Sequence, residues 1–397
     1  MKAVICGAGI AGLALAWWLD RDGWEVTVVD KAAGPRNEGY MIDFVGSGYD
    51  VAELMGILPQ LRRIQTTNRV VQYVDPRGRD RGRLDYGRFA GVFHGRVFTF
   101  MRPDLERVLR GALGDGVEIR YATTVDAVDA GEAMDGRGDG VLVGLSDGRR
   151  ERADLLVGAD GIHSRVRDLV FGAERPLLRY LGYHTASYLI PDPDLRGRAG
   201  ERFLIVAAPG RQVGLYPTND GRLAAWLVHR APDPVLPQDP AAAVRSAYRG
   251  MGDLVARVVA HCPVDGGLYY DQVAQIELDG WARGAVTLVG DACQAVSLMA
   301  GQGASMAMGG AYVLAEALRR SESVEAAAAH YERSMLPLVR DKQRAGRRTA
   351  RWLVPGSRWR MNVRTLALSA LRLPGLPTLA RPAFAVMRAS VVPDSPT

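Results

Sequence analysis

The sequence predicts an α/β protein: a Rossmann-like parallel-sheet domain, an inserted antiparallel β-sheet domain and C-terminal helices. Three observations carry this. The run Gly7-Ala8-Gly9-Ile10-Ala11-Gly12 lies between the apolar KAVIC and the helix-like LALAWWLDRDG. From about Leu177 to Gln275 the pattern changes to alternating segments around turn residues, Asn219-Asp220-Gly221 above all. The apolar run AVTLV, Ala285 to Val289, then restores the first pattern and leads through GDACQAVSLMAGQG into long helices.

The elements follow in order. KAVIC is a strand, GAGIAG a turn, and LALAWWLDRDG a helix closed by Gly23. EVTVVD is the next strand. Residues 34–48 are rich in glycine and polar side chains and read as one long loop. VAELMGILPQL reads as a single short helix. Between Arg69 and Phe100 alternation and turn residues suggest antiparallel strands. RPDLERVLRGAL is a helix with Pro103 in its first turn. VEIRYATTVDAVDA, GVLVGLSDG and RRERADLLVGAD are strands, and GEAMDGRGDG is a surface turn. This divides the chain into a first domain (1–70, 100–176 and 276–345), a sheet domain (71–99 and 177–275) and a basic helical tail (346–397).

Composition narrows the class. The chain has 397 residues, 48% hydrophobic and 24% charged, as expected of a globular protein with a large core. No apolar run reaches the roughly 18 residues that a membrane span needs. Cys6, Cys262 and Cys293 are far apart and form no CxxC pair, which suits a reducing cytoplasm and argues against a zinc site. From Arg340 onward there are 12 Lys/Arg against 2 Asp/Glu, while the rest of the chain is slightly acidic. One reading is a helical tail packed across the body with its arginines in water. Peripheral contact with anionic lipid or an acidic partner is the other. No nucleic-acid motif accompanies the charge.

The glycine-rich turn carries the first chemistry. It follows a strand, opens a helix, and precedes Asp30 by 18 residues counted from Gly12. Gly7 permits the tight turn, Gly9 lets a pyrophosphate approach the backbone, and Gly12 lets helix and strand pack closely. The helix start offers free N–H groups and the positive end of its dipole. Ile10 and Ala11 belong to that start, and Lys31 follows the acid. Asp30 suits the two hydroxyls of an adenosine ribose and disfavours a 2′-phosphate. The ligand is therefore FAD or NAD.

Two later stretches decide between them. One is ADLLVGADG, ending in Asp160-Gly161, followed by IHSRVR; the other is Gly290-Asp291. With GxGxxG they form a three-part pattern that resembles the flavoprotein aromatic hydroxylases, the family of para-hydroxybenzoate hydroxylase, along nearly the whole chain. The resemblance implies bound FAD, with Asp291 on the ribityl chain and Gly301-Gln302-Gly303 against the pyrimidine end of the flavin. It places Arg102 at the FAD from its helix, Arg36 in a loop near the flavin, and Asp160 near FAD and NAD(P)H, although Asp160 also suits a purely turn-holding role.

The implied reaction is monooxygenation. NADPH or NADH reduces FAD as a transient cosubstrate, O2 adds at flavin C4a, and the hydroperoxide delivers one oxygen atom to a bulky aromatic or apolar small molecule. Hydroxylation, epoxidation and Baeyer–Villiger oxidation all remain open. The inserted sheet would cover the ring, with Tyr183, His184, Tyr188, Tyr216 and Trp226 as pocket candidates beside Leu298 and Met299. No catalytic base stands out. Relatives often carry proline where Leu298 stands, so the Ser297-Leu298 stretch departs from the pattern. A redox-neutral cyclase or isomerase with structural FAD, and a non-catalytic flavin-binding protein, are the competing readings.

Overall fold

The computed structural model describes residues 1–36, 39–66, 70–129, 140–370 and 389–392. Its central sheet has six strands in the order 282–283, 286–288, 155–158, 2–6, 25–29 and 117–120. All neighbours are parallel except the edge pair 282–283 with 286–288. The inner strands are short apolar runs buried on both faces, as a parallel sheet covered by helices requires. The helix Ile10–Arg21 is buried from Ile10 to Leu19 because it is apolar on every side. It packs between this sheet and the helix Gly303–Arg320.

The second sheet has seven strands in the order 269–276, 178–190, 223–230, 211–217, 202–208, 70–74 and 80–85. Its two faces have different company. Leu204, Val206, Leu215 and Leu227 point to one face and pack under the helices Pro193–Ala199, Pro240–Ala247 and Asp253–Ala260. Phe203, Ile205, Gln212, Tyr216 and Trp226 alternate with them and face the first domain. Two smaller antiparallel sheets, 150–153/141–145/125–129 and 41–45/97–101, complete the strands among the described residues.

Several sequence expectations need correction. The inserted sheet is not wholly antiparallel: Arg202–Ala208 runs parallel to Val70–Val74, because that neighbour comes from a distant segment rather than a hairpin. VAELMGILPQL forms two helices, Ser47–Leu54 and Leu58–Ile64, broken at Gly56, whose φ of +71° ends the first. The 34–48 loop contains the strand Met41–Val45. RRERADLLVGAD splits into Arg150–Ala153 and Leu155–Gly158, which join different sheets. The turn GEAMDGRGDG lies outside the described residues except for Gly140.

The C-terminal region begins inside the 30-residue helix Val324–Leu353 and continues as the helix Arg358–Ala370. The second helix lays Met361 and Leu368 against Tyr73, Ile205 and Ala207. Its Arg364 is buried rather than in water, with the guanidinium 4.5 Å from the Tyr73 ring centroid. No helix among the described residues is long and apolar enough to cross a membrane.

Candidate functional site

The glycine-rich turn joins the first strand to the Ile10–Arg21 helix. Gly7 has φ +114°, and a Cβ there would meet Ala159 O at 2.4 Å. A Cβ on Gly12 would lie 1.9 Å from Gly7 O. Gly9 differs: nothing comes nearer than 3.6 Å to its Cβ position, which faces an open groove toward Arg102. Gly9 caps the helix with no side-chain hydrogen bond, so the first N–H groups of the helix stay available. Asp30 braces the turn as well as facing the groove. Its Oδ2 accepts from Ala8 N at 2.8 Å and its Oδ1 from Ala32 N at 2.8 Å.

Lys31, Arg36 and Asp160 line the same recess, a cavity of about 100 Å3. Arg36 sits 3.9 Å from Asp30 Oδ1. Asp160 commits its carboxylate to the helix Arg165–Val170, accepting from Ser164 Oγ at 2.5 Å and from Arg165 N at 2.6 Å. Burial raises its pKa and these bonds oppose the shift. The geometry therefore favours the turn-holding role. The recess continues past Gly9, Arg102, Ala159 and Gly161, which line both spaces, into a chamber of about 350 Å3.

Arg102 opens its helix at this junction and pairs with Glu106 at 2.8 Å. Asp291 stands across the chamber. Its side chain is exposed to the cavity, and its carboxylate receives no hydrogen bond from the described residues. Burial raises its pKa, Arg102 opposes the shift, and Asp271 adds to it. Its place is fixed by Gly290, whose φ is +64° and whose Cβ would meet Ala11 Cβ at 2.6 Å. Gly301 and Gly303 line the chamber too. The Gly303–Arg320 helix starts here without a side-chain cap, so its free N–H groups and dipole end lie at the chamber wall.

Gln302 does not line the chamber. It is buried, and its Oε1 accepts from the buried Lys342 Nζ at 2.5 Å. Burial lowers the Lys342 pKa to about 8. Lys342 belongs to a brace that sequence reasoning missed. Gln275 Nε2 donates to Val296 O at 3.0 Å, and Gln343 Nε2 donates to Ala295 O at 3.1 Å. Gly346 lets the Val324–Leu353 helix approach, since a Cβ there would lie 2.7 Å from Val296 O. The loop that lacks proline at Leu298 is thus clamped from behind. No local motif marks these residues; only their amides, 20 to 70 positions from their partners, carry the signal.

Ser297 is the strained point of that loop. Its φ is +83°, and its buried Oγ has no partner among the described residues. Such a conformation costs a β-substituted residue on the order of 1–3 kcal/mol. Ser297→Gly is expected to keep or raise Tm, whereas Ser297→Pro, locked at negative φ, lowers it by about 5 °C or more. Thermal scans of both variants check this.

The pocket candidates divide by face. Tyr216, Trp226, Leu298 and Met299 line the chamber, and Tyr216 Oη accepts from Met41 N at 2.8 Å. Tyr183 packs behind it with Met299 and Val354. His184 and Tyr188 point to the opposite face, a correction that follows from strand parity. His184 Nδ1 lies 3.0 Å from Tyr270 Oη, and Tyr188 Oη donates to Val258 O at 3.0 Å.

His163 also lines the recess and ties the helix Glu174–Leu177 to the strand Tyr269–Ile276. Its Nε2 lies 3.2 Å from Asp271 and its Nδ1 2.9 Å from Glu174. The hydrogen bond to Asp271 raises its pKa to about 9, burial opposes this, and Glu174 adds to it. A raised histidine pKa contributes stability fully below the unfolded value near 6.5, and that contribution is lost as pH rises through about 9. His163→Gln should therefore flatten the fall in Tm between neutral pH and pH 10.

Comparison with known proteins identifies the family and the fold. The family model described as "FAD binding domain" matches residues 1–340. A flavin-dependent monooxygenase from an unknown prokaryotic organism is 30% identical over 354 residues, covering 87% of this chain and 88% of the relative. The crystal structure of tetracycline destructase Tet(55) superposes with a TM-score of 0.81 at 25% identity, covering 98% of each chain. Klebsiella pneumoniae HpxO, complexed with FAD and uric acid, shares the fold with a TM-score of 0.79 at 23% identity, covering 99% of this chain and 98% of the other.

Proposed function

The chain belongs to the FAD-binding-domain family of flavin-dependent monooxygenases, and we propose that it inserts one atom of O2 into a bulky aromatic or apolar small molecule at the expense of NAD(P)H. One observation carries the reading. A groove leads from Asp30 past Gly9 and Arg102 to Asp291, then opens into an apolar chamber at the start of the Gly303–Arg320 helix.

The residues fit FAD. Asp30 would take the adenosine ribose, and the uncapped start of the Ile10–Arg21 helix the pyrophosphate. Asp291, a carboxylate without protein donors, would take the ribityl hydroxyls. The N–H groups at Gly303 and Ala304 would meet the pyrimidine edge, where a helix N-terminus favours negative charge. When bound, FAD supplies the hydride acceptor and the activation of O2. The chain supplies position and dryness. Val71, Tyr73, Phe203, Ile205, Leu298 and Met299 give the chamber apolar walls, and Leu353 closes it from the C-terminal side. Walls of this kind exclude water from the reacting centre.

The test is direct. The purified protein should show flavin absorption, and NAD(P)H consumption should rise with a suitable apolar aromatic compound. Product formed under 18O2 should carry one labelled atom. Turnover without O2 or NAD(P)H would instead select the redox-neutral reading.

A further inference from the structure

The chamber's sheet wall holds polar groups that nothing satisfies. Gln212 is 1% exposed, and neither its Oε1 nor its Nε2 has a partner among the described residues. Trp226 Nε1 is buried and unpartnered in the same way. Both residues line the chamber. Gln212 pairs with Val228 and Gly214 with Trp226, so the two stand one step apart on the same face of neighbouring strands. Gly214 keeps the floor between them bare, since a Cβ there would meet Phe203 at 2.4 Å and Trp226 at 3.4 Å.

Arg364 adds a cation nearby. It is 3% exposed, lies over the Tyr73 ring, donates to Leu353 O at 2.6 Å, and leaves Nε unpartnered. It forms no ion pair among the described residues. Tyr73 and Leu353 both line the chamber. Folded proteins keep few buried polar groups unpaired, because each costs desolvation without return. Two such residues in one apolar wall point to a ligand that completes them.

The balance of those groups describes the ligand. Donors predominate in the wall itself, Gln212 Nε2 and Trp226 Nε1, with the Arg364 cation over the Tyr73 ring. The acceptor is Gln212 Oε1. The matching edge is rich in acceptors. We propose that Gln212 and Trp226 form the hydrogen-bonding seat of the substrate, which is a planar apolar molecule bearing an enolised 1,3-dicarbonyl edge. The carbonyl and enolate oxygens take the N–H groups, and Arg364, over the Tyr73 ring, favours their negative charge. The inference rests on the monooxygenase reading in taking the chamber as the substrate site.

The probes are 4-hydroxycoumarin, which presents this edge as its enolate at neutral pH, and 4-methoxycoumarin, in which the enol is capped. Binding is followed in the FAD-loaded protein by perturbation of the flavin spectrum, and without FAD by tryptophan fluorescence. The wild type should prefer 4-hydroxycoumarin by about tenfold or more. Gln212→Met and Trp226→Phe should each cut that preference to about threefold or less. Gln212→Met should keep FAD affinity and raise Tm by about 1–2 °C, because an unpaired amide becomes apolar. A wild type that binds both probes alike, or neither, overturns the proposal. So does a preference that survives in both variants. FAD uptake is scored on the same samples. Protein that takes up no FAD removes the functional reading, while FAD-loaded protein that does not discriminate the coumarins removes this inference alone.

Discussion

Replacing Asp291 by alanine is expected to weaken FAD binding by about 30- to 1000-fold, the loss of roughly 2–4 kcal/mol from charge-assisted hydrogen bonds to ligand hydroxyls. The expectation rests on what the carboxylate lacks. It faces the chamber with no hydrogen bond from the described residues, and burial raises its pKa. With its side chain open to the cavity, the carboxylate does not hold the free protein together. The Tm of the FAD-free variant should therefore equal or exceed that of the wild type, while FAD affinity falls. Asp291→Asn, which keeps one acceptor, should lose less. Asp160→Ala supplies the contrast. Its carboxylate already holds Ser164 and Arg165, so its removal should lower Tm more than it lowers FAD affinity. Fluorescence titration of the FAD-free proteins reads one quantity and thermal scans the other. Wild-type FAD affinity in Asp291→Ala would sink the assignment of this acid.

The parts of the site that were legible in the sequence are those whose chemistry is local. Gly7, Gly9 and Gly12 needed only a strand before them and a helix after. Asp30 needed only its distance from the turn. Asp291 and Gly303 declared themselves at a strand-to-helix junction. What local pattern does not encode is partnership across the fold. Lys342, Gln343 and Gly346 lie on one long helix that reads as ordinary amphipathic sequence, yet they support the chamber loop from behind. Alternation marked the strands of the second sheet but not which parity faces the chamber. That choice depends on the helices covering the other side, and the register shift between Tyr180 and His184 further uncouples sequence from face. His184 and Tyr188 were misplaced for this reason. The burial of Arg364 is set by the sheet beneath it rather than by the charge around it in sequence.

Gly9→Ala and Gly12→Ala, three residues apart in one motif, are expected to fail in opposite ways. At Gly9 the backbone is extended, with φ −85° and ψ −172°, which any residue adopts, and the added carbon would find only ordinary contacts at 3.6 and 3.7 Å with Arg102 and Glu106. Folding should be unimpaired, and the smaller entropy of the unfolded chain favours the variant by about 0.4–1 kcal/mol. The methyl group nevertheless occupies the groove where the pyrophosphate must approach the helix start, so FAD affinity should fall by at least about tenfold, the loss of one or more phosphate contacts. At Gly12 the added carbon would lie 1.9 Å from Gly7 O and 3.2 Å from Ile5 Cγ2. Neither neighbour can yield, because one is backbone and the other is fully buried. The Ile10–Arg21 helix must move off the sheet, and it is also the partner of the Gly303–Arg320 helix. The cost is about 3 kcal/mol or more, so Tm should drop by at least several degrees even without FAD. Thermal scans and FAD titrations of the two variants separate the roles. Gly9→Ala with wild-type FAD affinity would show that the ligand does not pass the turn. Gly12→Ala with wild-type Tm would show that the close helix–strand approach is not what this glycine is for.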